Sequence, residues 1–290
     1  MQVSEEIRKK ILVFQRLEIT EHEIYKRLAK KIKSPANAEI VAQIAADELR
    51  HYEGLKKYSG QDVSPNWSTM WTYYWISRIF GFTFGIKLME RTEKNVQKDY
   101  DEIVEVVPEA ATFKHEEEVH EEKLVAMLDE ERLRYAGSIV LGLNDALVEL
   151  TGALAGLTLA LQNEKLIALS GMITGIAASM SMAASEYLST RSEDTTKNPV
   201  RAAIYTGIAY IVTVVLLVSP YLIFENYYLD LGIALTTAVV IIAVFNYYIS
   251  VAKEVSFRDR FLEMAGLSLG VALFSFIIGY FIRQWLGIEV

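Results

Sequence analysis

The sequence predicts an all-α protein in which a soluble four-helix domain precedes a five-helix membrane domain. Charge is concentrated at the N-terminal end, because residues 1–135 hold 21 of the 29 Lys and Arg, 25 of the 37 Asp and Glu, and all four His. The remaining residues contain five apolar stretches of about 20 residues, the length of helix that crosses a bilayer. No alternating strand pattern occurs in either half. We place the boundary near Gly137, which gives domains of 1–135 and 136–290.

The soluble half is predicted to form four helices, over residues 4–33, 36–58, 68–105 and 109–133. Breaks at Ser34-Pro35, Ser59-Gly60, Ser64-Pro65 and Pro108 separate them. Four helices with short connections favour a bundle.

Carboxylates and histidines occur at metal-ligand spacing on these helices. Glu48 with His51, and Glu117 with His120, are two Glu-x-x-His pairs, and three residues are close to one helical turn. The other two helices supply Glu18, Glu90 and Glu93. A Glu from each of two helices and a Glu-x-x-His from each of the other two is the ligand pattern of ferritin-like di-iron proteins. Since the chain has no Cys, carboxylate and imidazole are its strong ligands, which favours iron, with manganese as the alternative.

The competing interpretation is a solvated acidic face, because a single Glu-x-x-His match arises easily in so acidic a segment. We assign Glu116, Glu118, Glu121 and Glu122 to such a face. His22 and His115 match no ligand position, and we expect them at the surface or beside the ligands.

The membrane spans are predicted at residues 138–161, 166–188, 202–224, 229–251 and 264–286. Five such stretches with short polar loops disfavour buried helices of a soluble protein. The N-terminal sequence lacks the features of a signal peptide, so we expect a cytosolic first domain, a plasma-membrane location and an outer C-terminus. The positive-inside rule agrees. The inner side would carry Arg132, Arg134, Arg191, Lys197, Arg201, Lys253, Arg258 and Arg260, and the outer side Lys165 and Arg283.

Ionisable residues within the spans are candidates for function because each is costly in hydrocarbon. Asp145 and Glu149 lie four residues apart in the first span, as do Met182 and Glu186 in the second, so each pair shares a helix face. The alternatives are ordinary packing for the methionine and pairing with a basic residue for Asp145 and Glu186. Small residues in these two spans would suit a dimer seam or a narrow pathway: Gly142, Gly152, Gly156, Gly171, Gly175, Ala178 and Ala183.

The motifs GLNDALVELTG and SMAASEYLSTRSE resemble the first-helix and second-helix signatures of the vacuolar iron transporter family, over residues 136–290. The resemblance implies a homodimer that exchanges Fe²⁺ for protons. It also implies that Asp145, Met182 and Glu186 line the iron path, with Glu149 as a neighbour. Two features depart from the family: Ser185 stands where many members have Gly, and the loop TRSEDTTKNPVR is too short for the Glu-rich metal-collecting domain of plant members.

The soluble half resembles rubrerythrin over residues 10–130, without its rubredoxin-like cysteine domain. Relatives of this erythrin type occur fused to transporters of the family above. The resemblance implies that Glu48 and Glu117 bridge two metal ions, and that the terminal ligands are Glu18, Glu90, Glu93, His51 and His120. Tyr25 and Tyr100 would donate hydrogen bonds to ligand carboxylates.

The aromatic segment 67–89 is too apolar for a solvated helix, so it lies at the bilayer surface or packs against a partner subunit. The whole sequence predicts a transporter that moves Fe²⁺ out of the cytosol by proton antiport, with a domain that captures, senses or oxidises iron. The alternative is a membrane-tethered di-iron ferroxidase or peroxidase, although the missing cysteines remove the usual electron relay of a peroxidase. Nucleic-acid binding lacks the basic stripe that it requires.

Overall fold

The structure, a computed structural model, describes residues 4–96, 103–104, 106–126, 135–193 and 197–287. These residues are helical with short connections, and no strand occurs among them. The chain divides into two compact units, residues 1–130 and 131–290. The first unit contains α1 Glu5–Ala29, α2 Pro35–Ser59, α3 Trp67–Phe80, α4 Phe82–Val96 and α5 Ala110–Ala126. The second contains α6 Ala136–Leu161, α7 Glu164–Ser192, α8 Pro199–Val218, α9 Pro220–Ile223, α10 Tyr227–Ala252 and α11 Phe257–Leu286.

Helices α1 and α2 form the main packed pair of the first unit. Each begins at a serine whose hydroxyl accepts a hydrogen bond from the first turn, Ser4 from the Ile7 amide and Ser34 from the Asn37 amide. Helix α2 ends at Gly60, which adopts a φ of 69° that other residues rarely take. Local sequence signals therefore define both ends of this pair.

The predicted third helix is broken at Gly81. Its φ of 106° lies in a region that favours glycine, so α3 ends at Phe80 and α4 begins at Phe82. Helix α4 then approaches α3 so closely that any side chain at Gly85 would overlap Ser77. The prediction of one helix over 68–105 is wrong here, because the apolar pattern continues through a glycine that reverses the backbone.

Two apolar clusters form the core of the first unit. One contains Ile24, Tyr25, Leu28, Val41, Ile44, Met70, Ile86, Met89 and Leu124, and the other contains Ile11, Phe14, Leu55, Ile103, Val107 and Phe113. Along α1, α2 and α5, the predicted metal ligands lie between the residues that join the first cluster and those that join the second. The packing of both clusters therefore holds the ligand-bearing turns together.

Five helices of the second unit are long and apolar enough to cross a membrane: α6, α7, α8, α10 and α11. The protein is therefore a multi-pass membrane protein. Asparagine or serine caps the N-terminus of four of them, at Asn163, Asn198, Asn226 and Ser256. The third span ends earlier than predicted, at Val218, because Pro220 has no amide hydrogen to continue the helix and instead begins α9.

Helix α6 packs against α7, α8, α10 and α11, and small residues allow its closest contacts. A side chain at Gly279 would overlap the backbone of Gly156, and one at Gly142 would overlap the backbone of Thr206. The hydroxyls of Thr151 and Ser268 lie 3.0 Å apart between α6 and α11. These glycines therefore pack helices within one chain, as small residues do in membrane proteins generally.

Candidate metal centre and membrane carboxylates

Three helices bring four predicted ligands to one place in the first unit. Ligand atoms of Glu18 on α1, Glu48 and His51 on α2, and Glu117 on α5 all lie within 4.8 Å of one another. His120 adjoins them, with Nδ1 3.3 Å from Glu48 Oε1 and 3.8 Å from Glu117 Oε2. Two of the predicted ligands, Glu90 and Glu93, are on α4, but their side chains lie outside the described residues, as does Tyr100.

The cluster is buried and its polar atoms are poorly satisfied. His51 is 0 % exposed and Glu48 is 1 % exposed. Nδ1 of both histidines and one oxygen each of Glu48 and Glu117 make no hydrogen bond to any described residue. Buried polar atoms in this state are costly, and a cation among them would satisfy all of them together. The donor set therefore fits a metal ion.

The outer nitrogen of each histidine contacts a carboxylate from the opposite helix. His51 Nε2, on α2, lies 2.7 Å from Glu116 Oε2 on α5, and His120 Nε2, on α5, lies 3.2 Å from Asp47 Oδ2 on α2. Because an ionised carboxylate only accepts, each Nε2 donates outward and Nδ1 faces the cluster. We call these two histidine–carboxylate contacts the braces. Arg50 contacts both carboxylates, with Nη2 2.9 Å from Asp47 Oδ1 and from Glu116 Oε2.

Burial and mutual charge shift the acid–base behaviour of these groups. Burial, followed by the charge of Glu117, holds the pKa of Glu48 well above its usual range. Burial disfavours the ionised form of Glu117, but hydrogen bonds and charge from His120 and His51 have the larger effect and lower the pKa of this carboxyl to about 2. Burial disfavours both imidazolium ions, yet the surrounding carboxylates raise the pKa of His120 to about 10 and that of His51 further. The metal-free cluster therefore stores protons that a metal ion would displace.

The remaining predictions for this unit have mixed outcomes. Glu116 is not simply a solvated charge, because it braces His51, and Asp47 was not singled out at all. Their position directly before each Glu-x-x-His is the sequence signal that could have found both. His22 is buried, with Nδ1 2.5 Å from the Ala45 carbonyl oxygen, and Tyr25 lies within the first apolar cluster. His115 is exposed beside Glu118.

In the membrane unit, hydroxyl groups contact the predicted path carboxylates. Glu186 Oε1 accepts hydrogen bonds from Ser138 on α6 at 2.6 Å and from Thr190 at 3.5 Å. The phenol of Tyr210, on α8, donates to Glu149 Oε2 at 2.7 Å. Tyr210 is fully buried and was missed by the sequence analysis, although a phenol near the middle of an apolar span is a usable signal.

The predicted path residues do not form one compact cluster. Ser138, the partner of Glu186, lies two helical turns before Asp145 on α6, so the two carboxylates lie at different depths. Asp145 is half-buried, and Met182 packs against the apolar core of this unit. Within the described part of the second unit, no three acidic or histidine side chains meet as a metal-ligand group.

Residues 136–198 match the VIT family model. The match covers α6 and α7, the two helices that contain Asp145, Glu149, Met182 and Glu186, and ends at the cap of α8. Together with the five apolar helices, it supports a membrane domain of the VIT type, which suggests metal-ion transport. No curated protein and no solved structure matches the chain.

Proposed function

We propose that this protein is a plasma-membrane transporter that moves Fe²⁺, with Mn²⁺ as the alternative cargo, out of the cytosol in exchange for protons. The observation that carries the proposal is the VIT family match over the two spans with the intramembrane carboxylates. The first unit faces the cytosol, and the working form is a homodimer.

The contacts of the path residues suit a cation that must be held and released. Ser138 donates to Glu186 and Tyr210 donates to Glu149, so both carboxylates have neutral partners. A neutral donor leaves the negative charge available to a divalent ion or a proton. Met182 adds a soft thioether to the oxygen ligands on α7. Protonation of Asp145 or Glu186 as the metal leaves would couple the two fluxes.

The first unit is proposed to be a ferritin-like, rubrerythrin-type bundle that holds two iron ions. Glu48 and Glu117 would be shared by the two ions, and Glu18, His51 and His120 would complete the ligand set that the structure describes. Glu90 and Glu93 remain proposed terminal ligands. Bound iron would supply redox chemistry, while the chain's own residues hold it, exclude water and store protons. Because the loop between α7 and α8 is short, the first unit is the natural metal collector.

Metal flux into proteoliposomes tests the path. Glu186→Gln should abolish Fe²⁺ flux, because the amide keeps the size of the side chain but loses its negative charge. Glu193→Gln is the matched control, since Glu193 is exposed just beyond the same helix and bonds only to Ser189 in the described structure. Undiminished flux through the Glu186 variant would refute the path assignment.

The alternative function is a membrane-tethered ferroxidase or peroxidase, and the burial of His51 and Glu48 favours it, since redox-active iron is often shielded from solvent. Consumption of O₂ or peroxide by the iron-loaded full-length protein distinguishes the two. Fast multiple turnover that His51→Ala abolishes and Glu186→Gln leaves intact supports an enzyme. Iron binding without turnover supports collection or sensing for transport.

A further inference from the structure

Another carboxylate of the membrane unit, Asp230, is not among the predicted path residues. It occupies the first turn of α10 and is 0 % exposed, so protein rather than lipid covers it. Neither of its oxygens makes a hydrogen bond to any described residue. An ionised carboxylate without a partner is costly in such a place, so this group favours a bound cation or a bound proton.

The surroundings of Asp230 indicate which ligand it takes. Glu164, at the start of α7, and the Tyr221 phenol on α9 are its electrostatic neighbours, and that phenol is 2.8 Å from the Thr158 hydroxyl on α6. Arg283 on α11 lines a nearby cavity with Tyr228 but makes no hydrogen bond to Asp230. No three-ligand metal group includes Asp230 in the described part of the chain. One carboxylate with neutral or acidic neighbours suits a proton better than a divalent metal.

Asp230 and its neighbour Glu164 lie at the opposite end of the membrane unit from Glu186. Glu164 begins α7 and Glu186 lies 22 residues later on the same helix, a separation of about 33 Å along its axis. A polar-lined cavity of about 650 Å³ lies at the Glu164 end, beside Gln162, Arg283 and Gln284. Water in this cavity would bring protons close to α10 from the outer side.

We propose that Asp230 is the outer proton-binding residue of the transporter. A proton from the outer water adds to its carboxylate and is later released toward the inner side as metal moves outward. This inference rests on the proposed proton exchange. It assigns to Asp230 a role separate from metal binding.

Proteoliposomes with a pH dye and a metal dye test the assignment with Mn²⁺ as an air-stable probe. Asp230→Asn should lose proton-driven metal accumulation and metal-driven proton flux, yet retain Mn²⁺/Mn²⁺ exchange. Asp230→Glu should restore coupling, and Glu225→Gln, at an exposed position just before α10, should resemble the natural protein. Because Asp230→Asn should still exchange metal, that exchange also shows that the variant is folded.

The outcomes separate the two proposals. If the natural protein couples and Asp230→Asn couples equally well, the assignment of Asp230 is wrong and proton exchange stands. If the natural protein moves Mn²⁺ without protons, the proposal of proton exchange is wrong and the assignment of Asp230 is wrong with it. If Asp230→Asn loses Mn²⁺/Mn²⁺ exchange while Asp230→Glu keeps it, the residue acts in metal movement and the proton assignment is overturned.

An independent observation concerns the surface of the first unit. Trp67, Trp71, Trp75 and Ile79 are spaced by four residues on α3, and their exposed fractions run from 47 to 60 %. We call this stripe the aromatic face. Only Met70 and Ser77 of the 14 residues of α3 are buried, so this apolar helix is largely uncovered. A patch of this kind marks an interaction surface.

The charges beside the aromatic face identify its partner. The end of α1 and the following turn carry a basic cluster with no acidic residue between its members: Lys26, Arg27, Lys30, Lys31 and Lys33. The guanidinium of Arg27, which also pairs with Glu23, lies 5.6 Å from the ring centre of Trp67 and 5.8 Å from that of Trp71, so this end of the cluster borders the face. Helix α3 itself contains no Asp or Glu. Indole rings beside lysines and arginines are the composition of a surface that binds anionic lipid.

We infer that the aromatic face docks on the anionic headgroup region of the bilayer in which the second unit is anchored. A second copy is a poorer partner, because a symmetric contact would bring two basic clusters together. Docking would hold the metal-binding unit at the membrane surface instead of leaving it on a free tether. Of the two interpretations of segment 67–89, this proposal adopts contact with lipid.

The chain's few tryptophans make the inference testable in the full-length protein. Trp285 is the fourth, so in Trp285→Phe all indole emission comes from α3. In vesicles of anionic lipid with bromine near the headgroup, most of this emission should be quenched, and bromine at the bilayer centre should quench less. Lys30→Glu with Lys31→Glu should reduce the quenching. The matched control carries Trp67→Phe, Trp71→Phe and Trp75→Phe, so its emission comes from Trp285 alone. Quenching of this emission should not change when Lys30→Glu and Lys31→Glu are added.

Two results would overturn the docking. Emission that acrylamide quenches and brominated lipid does not would show a face exposed to water. Emission protected from both quenchers, with a cross-link between copies through Trp71→Cys, would show that a second copy covers it.

Discussion

At the scale of single residues, two acids outside the ligand cluster contact the histidines of the candidate metal centre. Asp47 and Glu116 each hold the outer nitrogen of a histidine that belongs to the other helix. Such partners orient an imidazole and raise its basicity as a ligand. Their contribution should therefore be visible in metal affinity while the fold is retained.

Glu116→Ala should weaken Mn²⁺ binding by about 10–100-fold, the usual effect of removing a partner of a ligating histidine. Glu116→Gln should weaken it less, because the amide oxygen still accepts from His51. Calorimetric titration of the full-length protein measures both. Glu118→Gln is the control, since Glu118 is exposed beside His115. Equal affinity in all four proteins would show that the brace is incidental.

Metal affinity should rise with pH. The pKa of His120 is raised to about 10 in the metal-free cluster and that of His51 further, so both imidazoles hold a proton at neutral pH, whereas Glu117 is already ionised. Metal displaces these protons, and raising the pH removes the competitor, by about tenfold in affinity per pH unit for each proton displaced. Titrations in two buffers of different ionisation heat count the protons. An affinity that is constant between pH 6 and 8 would contradict the protonated cluster.

At the scale of elements, close helix contacts in the membrane unit depend on small residues. Gly279→Val should place a branched side chain against the backbone of Gly156 and lower stability by about 1–3 kcal/mol. Gly270→Val, on the same helix, is the control because nothing lies within 4 Å of a side chain built there. Thermal unfolding in detergent should separate the two variants. Equal melting temperatures would mean that the helices move apart without cost.

The positions of the helices were easier to predict from the sequence than the breaks within them. Hydrophobic length alone locates the five spans, and Ser34-Pro35 and Asn198-Pro199 mark two helix starts clearly. The break at Gly81 was missed because one glycine inside a long apolar pattern is common, and only the contact of Gly85 with Ser77 shows that the chain reverses. In the same way, Glu-x-x-His spacing predicts Glu48 and Glu117 as ligands. The residue before each pair, Asp47 or Glu116, is only a candidate from the sequence, because its contact is with a histidine on the neighbouring helix.

At the scale of the whole molecule, the proposed inward N-terminus predicts which loops water-soluble reagents reach. The chain has no Cys, so single-cysteine variants are labelled uniquely. Lys165→Cys, in the first turn of α7, should react with a membrane-impermeant thiol reagent on intact cells. Glu193→Cys, after α7, should react only after the cells are permeabilised. The reverse pattern would invert the topology and with it the direction of transport.

The two braces of the candidate metal centre join residues that are far apart in the chain, which affects when the site can form. His51 and Glu116 are 65 residues apart in the chain, and Asp47 and His120 are 73 apart, so neither histidine is held until α5 has been synthesised. Helix α5 ends at Ala126, and the first membrane span begins at Ala136. The last helix of the candidate metal site is therefore synthesised just before the first span. We expect the metal-binding cluster to be complete only when synthesis of the membrane unit begins.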